Sequence, residues 1–176
     1  DAQFFFDSDC EKPLITRKES LGGLIFQDKL GTVLDKSERV GQLSQHIAEQ
    51  VSANPAQCAR AAELSKCDLL TSMVGEFAEL QGLMGSYYAA NDGEAPEVAQ
   101  AIHEQYQPRF SGDDVPASET GAILAVADKL DTMVGLFGVG QPPTGSKDPF
   151  ALRRSAIGIL RILVEKLFEL DLKWLI

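Results

Sequence analysis

Apolar residues recur every three or four positions along most of the chain, which is the spacing of one face of an α-helix. In residues 37–51, Val40, Leu43, Ile47 and Val51 form one such stripe. The same spacing predicts further helices over about 55–70, 72–90, 96–106 and 119–137, and a last helix from 148 onward. The sequence therefore predicts an all-α fold with six to eight helices.

Capping residues mark where several of these helices begin. Asn54 precedes Pro55, which predicts an N-cap followed by proline at the first helical position. Asp148 and Pro149 predict the same start for the last helix, and Pro96 opens another. The apolar face of the last helix is predicted to consist of Phe150, Ile157, Leu160, Val164 and Leu167.

The two ends of the chain carry weaker patterns. Residues 1–17 predict an extended segment or short strand that comes from a preceding domain, and helix is predicted from Lys18. The predicted 72–90 helix contains Gly82 and Gly85, where it is expected to bend or break close to another backbone. No strand is predicted after residue 10. The helical domain is predicted over 18–170, and 171–176 as the start of a link to a further domain.

Composition narrows the class of protein. The chain has 176 residues, 44% of them hydrophobic, which is enough for a folded core and argues against disorder. No apolar run reaches the roughly 18 residues that a membrane span needs. Three cysteines without CxxC spacing predict a reduced, cytoplasmic protein in which each is a buried apolar side chain. Asp1 at the start and apolar residues at the end suggest a piece of a longer protein.

The net charge of −10 restricts any contact with nucleic acid. An acidic surface repels phosphates, so RNA could be bound only at a local cluster of lysines and arginines. The last helix offers one, with Lys147 just before it and Arg153, Arg154 and Arg161 within about 100° of its circumference. The alternative is ion pairing, of Arg161 with Glu165, and of Arg153 or Arg154 with Asp113, Asp114 or Asp131.

A second candidate for RNA contact is the corner formed by residues 105–110. Arg109 is flanked there by Tyr106 and Phe110, aromatic rings on which unpaired bases could stack. Aromatic residues at such a corner are more often part of the core. Both interpretations remain open from the sequence.

The order of elements resembles the metal-dependent phosphohydrolases of the HD type. That resemblance implies a histidine at Lys36, a His-Asp pair at Cys67 and Asp68, and a late aspartate at Asp128, within Ala127–Asp131. Only the two aspartates remain, so a degenerate metal site without bound metal or catalysis is predicted. Asp68 is expected to pair with Lys36, or with Lys129 or Arg39. Neither histidine replaces the missing ones, since His46 is about 15 Å along the helix from Lys36 and His103 is on another helix.

Short motifs in order along nearly the whole chain are similar to those of the bacterial glycyl-tRNA synthetase beta subunit family. They lie at 1–5, 26–32, 64–69, 79–85, 92–94, 104–110, 127–131 and 144–154. The resemblance implies an enzyme of two alpha and two beta subunits. In it the alpha subunit uses ATP, Mg²⁺ and glycine, and the beta subunit helps to bind tRNA(Gly). This chain would then be the HD-like middle of the beta subunit, without a cofactor of its own, before an anticodon-binding domain.

Three functions therefore compete. The first is a non-catalytic module that binds tRNA, the alpha subunit and the flanking beta-subunit domains. The second is an HD phosphohydrolase that has kept its metal. The third is a structural spacer.

Overall fold

The computed structural model describes residues 2–176, and helices dominate it. The α-helices are α1 (Ala2–Asp9), α2 (Val33–Gln50), α3 (Pro55–Leu64), α4 (Ser72–Glu76), α5 (Leu83–Asn91), α6 (Pro96–Glu104), α7 (Glu119–Gly138), α8 (Leu152–Glu165) and α9 (Leu172–Leu175). Short 3₁₀ helices cover Leu14–Arg17, Glu19–Gly23, Cys67–Leu70 and Ala78–Leu80. The all-α prediction is confirmed, with nine α-helices in the described residues instead of six to eight.

Helix α7 is the centre of the fold and packs against α2, α3, α6 and α8. Its first half is buried all round, because Ile123, Leu124 and Val126 face different neighbours. A helix that is apolar on every side must lie inside other helices. This position places Asp128 and Lys129, in the same helix, at the middle of the molecule.

Side-chain caps set several of the helix starts, including those of α2, α3 and α7. Asn54 accepts from the backbone N–H of Gln57, with Pro55 at the first helical position, as predicted. Helix α2 begins earlier than predicted, because Thr32 and Asp35 form a reciprocal capping box at its N-terminus. The sequence pattern of apolar residues had placed this start at residue 37.

The prediction of an extended segment at 1–17 is wrong. Residues 2–9 form α1, and a 3₁₀ turn follows with Leu14 in the core. Asp9 fixes this segment from a distance, since its carboxylate accepts from the N–H groups of Ser72 and Met73 at 2.8 and 3.0 Å and from the Tyr88 hydroxyl at 2.8 Å. No local pattern reveals these contacts. The origin of the segment in a preceding domain stays a prediction.

The region after Lys18 also differs from the prediction. A 3₁₀ helix at Glu19–Gly23 is followed by an antiparallel hairpin of β1 (Ile25–Gln27) and β2 (Gly31–Thr32). The prediction that no strand follows residue 10 was therefore wrong. The predicted 72–90 helix is broken into α4 and α5. The break lies at 77–82 and ends at Gly82, whose φ of +81° suits glycine. A break at this glycine was expected.

Helix α8 begins four residues after Asp148, so Pro149 is not its first residue as predicted. The Asp148 carboxylate still accepts from the N–H groups of Leu152 and Arg153 at 2.8 and 3.0 Å. Ala151 has a φ of +53° at the turn into the helix.

The predicted buried face of α8 is exposed instead. Ile157, Leu160, Val164 and Leu167 are 55–85% exposed, and Phe150 is 38% exposed. Leu152, Ile159 and Ile162 are the buried residues. The helix has two apolar stripes, and packing against α7 selects the second one. No helix in residues 2–176 is long and apolar enough to cross a membrane.

Candidate functional site

Lys36 on α2 reaches α7 and lies in a group of acids. Its Nζ donates to the carboxylate of Asp131 at 3.0 Å, to the Thr132 hydroxyl at 2.8 Å and to the Asp128 carbonyl at 3.2 Å. It also lies 3.4 Å from the Asp128 carboxylate and 4.7 Å from the centre of the Phe26 ring. The partner predicted for Lys36 was Asp68, so that prediction was wrong.

A second ammonium, which the sequence reasoning missed, contacts the same aspartate. Lys66 Nζ lies 3.3 Å from the Asp128 carboxylate and 4.4 Å from the centre of the Tyr106 ring. Burial alone would raise the pKa of Asp128, but Lys36, Lys66 and Lys129 outweigh it and hold that pKa well below its usual value. Asp128 is therefore ionised and neutralised by lysines. The signal available in the sequence was the position of Lys66 directly before Cys67 and Asp68.

Asp68 is fully buried and bound by backbone rather than by a cation. Its Oδ2 accepts from the N–H groups of Gly82 at 2.6 Å and Gly85 at 3.1 Å, while Oδ1 has no hydrogen-bond partner. Burial raises its pKa, and the N–H groups and Lys66 oppose that rise. Pairing with Lys129 or Arg39 was also wrong, since Arg39 bonds Asp131.

Gly82 and Gly85 have the role of close approach that the sequence predicted, against a neighbouring helix. A Cβ on Gly85 would lie 2.8 Å from both Asp68 Oδ2 and Ile102 Cγ2. A Cβ on Gly82 would lie 2.9 Å from ring atoms of Tyr106. Both glycines therefore allow α5 to approach Asp68 and α6.

Cys67 and the histidines do not complete a metal site. Cys67 is buried, its thiol donates to the Glu63 carbonyl, and burial raises its pKa to about 12. His46 stacks on Trp174 at 4.1 Å, and His103 lies on α6. Within residues 2–176, no three His, Cys, Asp or Glu side chains are grouped as a metal ion would require.

The residues around Asp128 do not fit a divalent metal of the HD type. Metal ligands must be neutral or anionic donors, whereas two ammonium groups lie within 3.4 Å of this carboxylate. A metal ion here would have to displace both lysines. We call Lys36, Arg39, Lys66, Asp128 and Asp131 the buried charge cluster.

A cavity of about 330 Å³ opens beside the buried charge cluster, between the 105–110 corner and the start of α8. Lys129 and Gln105 form part of its wall, and Arg109 and Arg154 lie along it. Lys129 Nζ donates to the carbonyls of Gln105 and Gln107 at 3.3 and 2.8 Å, and burial lowers its pKa to about 8. Lys129 and Gln105 were not predicted as site residues.

Two exposed cations line the cavity, and two more precede or begin α8. We call all four the basic rim: Arg109, Lys147, Arg153 and Arg154. Among the described residues, none of the four has a carboxylate within ion-pair distance, although Arg154 Nη1 donates to the Arg109 carbonyl at 3.2 Å. The alternative that Arg153 or Arg154 pairs with Asp113, Asp114 or Asp131 was therefore wrong. These charged groups remain open to a ligand.

Arg161 and Tyr106 are placed differently from the basic rim. Arg161 pairs with Glu165 at 3.0 Å, as the alternative predicted, and also donates to the Asp113 carbonyl at 2.8 Å. The Tyr106 ring is half-buried between Lys66 and Gly82, and it lines the cavity. Phe110 beside it is 60% exposed.

The fold gives the first comparison with known proteins. A crystal structure described as a predicted HD superfamily hydrolase, from an uncultured Thermotogales bacterium, is similar with a TM-score of 0.54. It is 20% identical, and the match covers 88% of this chain and 87% of that one. The fold is thus HD-like.

The family follows from sequence. The family model described as glycyl-tRNA synthetase beta subunit matches residues 1–176, and the chain belongs to that family. The glycine–tRNA ligase beta subunit of Chromohalobacter salexigens is 54% identical over 176 residues, which are all of this chain and 26% of that protein. The one of Pseudomonas fluorescens is 56% identical over 172 residues, 98% of this chain and 25% of that protein. The chain spans about a quarter of the length of these relatives.

Proposed function

We propose that this chain is a non-catalytic scaffold within the beta subunit of a glycine–tRNA ligase, where it supports tRNA binding and subunit assembly. The observation that carries the proposal is that two ammonium groups lie within 3.4 Å of the Asp128 carboxylate, beside arginines that form no ion pair. ATP, Mg²⁺ and glycine are then used by the alpha subunit in the cytoplasm. The partners are the alpha subunit, tRNA(Gly) and the flanking domains of the beta subunit.

The alternative of an HD phosphohydrolase requires a metal-bound hydroxide. Lys36 and Lys66 supply positive charge next to Asp128, but an ammonium cannot lower the pKa of water as a metal ion does. Electrostatic binding of phosphate is what such a centre can still do. The chemistry available favours binding over hydrolysis.

If the chain were only a structural spacer, the exposed cations of the basic rim would have no role. On a chain with a net charge of −10, four of the seven arginines are used in ion pairs within the described residues, including Arg60 with Glu94 and Arg161 with Glu165. The guanidinium groups of the basic rim are not. Unpaired arginines on one face are the usual means of holding an RNA backbone.

The test replaces Lys147 and Arg153 together by alanine in the intact enzyme of alpha and beta subunits. Loss of two phosphate contacts predicts weaker binding of tRNA(Gly) and a salt dependence that is shallower by about 1.4–1.8 in log K against log salt. Filter binding at several salt concentrations measures both. The matched control replaces Lys12 and Lys173, two exposed lysines without ion pairs, and removes the same charge.

Three results would contradict the proposal. Unchanged tRNA binding and charging in the Lys147 and Arg153 variant would favour the spacer. Release of phosphate from a phosphoester by the purified chain with Mn²⁺ would favour the phosphohydrolase. An equal loss in the control variant would mean that net charge, and not the basic rim, attracts the tRNA.

A further inference from the structure

The cavity beside the buried charge cluster has two chemically different sides. Arg109 and Arg154 provide donors on one side, whereas Gln105, Asp128 and Glu79 provide acceptors elsewhere in the lining. Its volume of about 330 Å³ lies at the small end of the range of roughly 300–1,000 Å³ for ligand pockets. A ligand that fits must therefore be small, with an anionic part and a hydrogen-bond donor.

The donor side is formed by guanidinium groups that have no carboxylate partner. Arg154 Nη1 donates to the carbonyl of Arg109, which holds the two residues at the same edge of the cavity. Lys129 lies in the wall with two of its three donor positions used by carbonyl groups. Guanidinium groups bind phosphate oxygens through paired N–H donors. This side suits a phosphate group.

Gln105, one of the acceptor residues in the lining, has an unsatisfied side-chain amide. Gln105 is fully buried, its Nε2 donates to the carbonyls of Ser65 at 2.8 Å and Ile102 at 2.7 Å, and its Oε1 has no partner. A 180° flip of the side-chain amide is excluded, because it would place Oε1 against the carbonyl oxygens of Ser65 and Ile102. A buried acceptor without a donor destabilises a protein, and a ligand hydroxyl or amino group would satisfy it.

We propose that this cavity binds one unpaired ribonucleotide, with its phosphate at Arg109 and Arg154 and a ribose hydroxyl or base amino group at Gln105 Oε1. A ribonucleotide carries both groups in one small molecule, and unpaired nucleotides are the part of RNA that proteins take into pockets. The inference deepens the proposed role in tRNA binding and rests on it for the biological source of the nucleotide.

The first experiment titrates the 176-residue chain with AMP by isothermal calorimetry. Arg109→Ala and Arg154→Ala are each expected to weaken binding about tenfold, the usual effect of losing a charged hydrogen bond. Lys29→Ala removes an equal charge outside the cavity and is expected to leave the affinity within about twofold. Thermal melts of each variant establish that the fold is intact.

The second measurement follows the side-chain amide resonances of Gln105 by NMR. AMP is expected to shift them, whereas inorganic phosphate at the same concentration, which lacks the donor, is expected to leave them in place. Titration with a short oligoadenylate distinguishes the sources: tighter binding than AMP supports a nucleotide within RNA, whereas weaker binding overturns that source.

Three outcomes overturn the proposal. They are no binding of AMP at millimolar concentration, equal binding of AMP and inorganic phosphate with Gln105 unmoved, or an equal loss of affinity in Lys29→Ala. None of these outcomes affects the test of Lys147 and Arg153 in the intact enzyme, because neither Lys147 nor Arg153 lines the cavity. Failure here can thus be separated from failure of the proposed function.

Discussion

The buried charge cluster and the basic rim are neighbours that use positive charge in opposite ways. In the cluster, Lys36 and Lys66 are buried and each touches Asp128 within 3.4 Å. In the rim, the Arg153 and Arg154 side chains are exposed and form no ion pair with the described residues. Burial makes the difference, because a buried cation must be neutralised within the protein whereas an exposed one is solvated until a ligand arrives.

The comparison also shows where each kind of positive charge lies in the fold. Helices α2 and α7 pack against each other, and Lys66, directly before the Cys67–Leu70 turn, contacts Asp128 of α7. The charges of the buried cluster are thereby neutralised within the protein, whereas those of the basic rim lie at the surface.

The largest expected effect comes from breaking the buried charge cluster. Asp128→Asn removes the carboxylate that Lys36 and Lys66 share, and leaves Lys66 buried without an anion. Losing one member of a buried ion pair typically costs about 3–5 kcal/mol of unfolding free energy. Urea denaturation of the chain measures it.

Asp114→Asn makes the same chemical change on an exposed residue without an ion pair and is expected to stay within about 0.5 kcal/mol. A loss below about 1 kcal/mol in Asp128→Asn would mean that the cluster is hydrated and not held by its charges.

The next effect concerns the space around Asp68. Gly85→Ala places a Cβ 2.8 Å from Asp68 Oδ2 and from Ile102 Cγ2, and neither atom can move freely. Overpacking of this kind costs about 1–3 kcal/mol, and we expect the upper half of that range. Gly75→Ala in α4 meets nothing within 4 Å and is expected to stabilise slightly, since alanine favours helix. Equal melting temperatures for the two variants would refute the tight contact.

A third prediction uses pH. Burial lowers the pKa of Lys129 from 10.5 to about 8, so the unfolded chain binds more protons than the folded chain between those two values. The destabilisation from Lys129 is therefore complete below pH 8 and is relieved as the pH rises. Relative to that of Lys129→Met, the unfolding free energy of the wild type should rise by about 2 kcal/mol between pH 7 and pH 9.5.

The measurement is urea denaturation of both proteins at several pH values, and only their difference is used because other groups titrate in the same range. Lys29→Met, an exposed control, is expected to give a constant difference from the wild type. A constant difference for Lys129→Met as well would show that Lys129 is solvated in the folded chain.

Local signals account for the parts of the fold that the sequence predicted. The α2 stripe, the Asn54 cap and the buried α7 were all visible from spacing and capping residues. Lys36 and Asp128 were also named from the sequence, through the resemblance to the HD type, and their correspondence to metal-ligand positions stays a prediction. Such features depend on residues within one or two turns of each other.

Distant contacts account for most of what was missed. Helix α1 is fixed by hydrogen bonds that the Asp9 carboxylate accepts from backbone groups more than 60 residues away in the chain. The Asp68 carboxylate accepts from the N–H groups of Gly82 and Gly85 and not from a lysine. For α8, apolar spacing could not decide between two stripes, and its packing against α7 did. The pairing of Lys66 with Asp128 likewise exists only once α3 and α7 are packed together.

The smallest expected effect is that of basic-rim substitutions on the unfolding free energy of the chain. Arg153→Ala and Arg154→Ala should each change the unfolding free energy by less than about 0.5 kcal/mol, because exposed cations without ion pairs contribute little to folding. Arg161→Ala is the matched variant in the same helix, and it loses both the Glu165 pair and the Asp113 carbonyl. Urea denaturation should rank Arg161→Ala as the more costly change. If Arg153→Ala or Arg154→Ala cost as much as Arg161→Ala, the basic rim would be part of the packing of α8, and its separation from the buried charge cluster would fail.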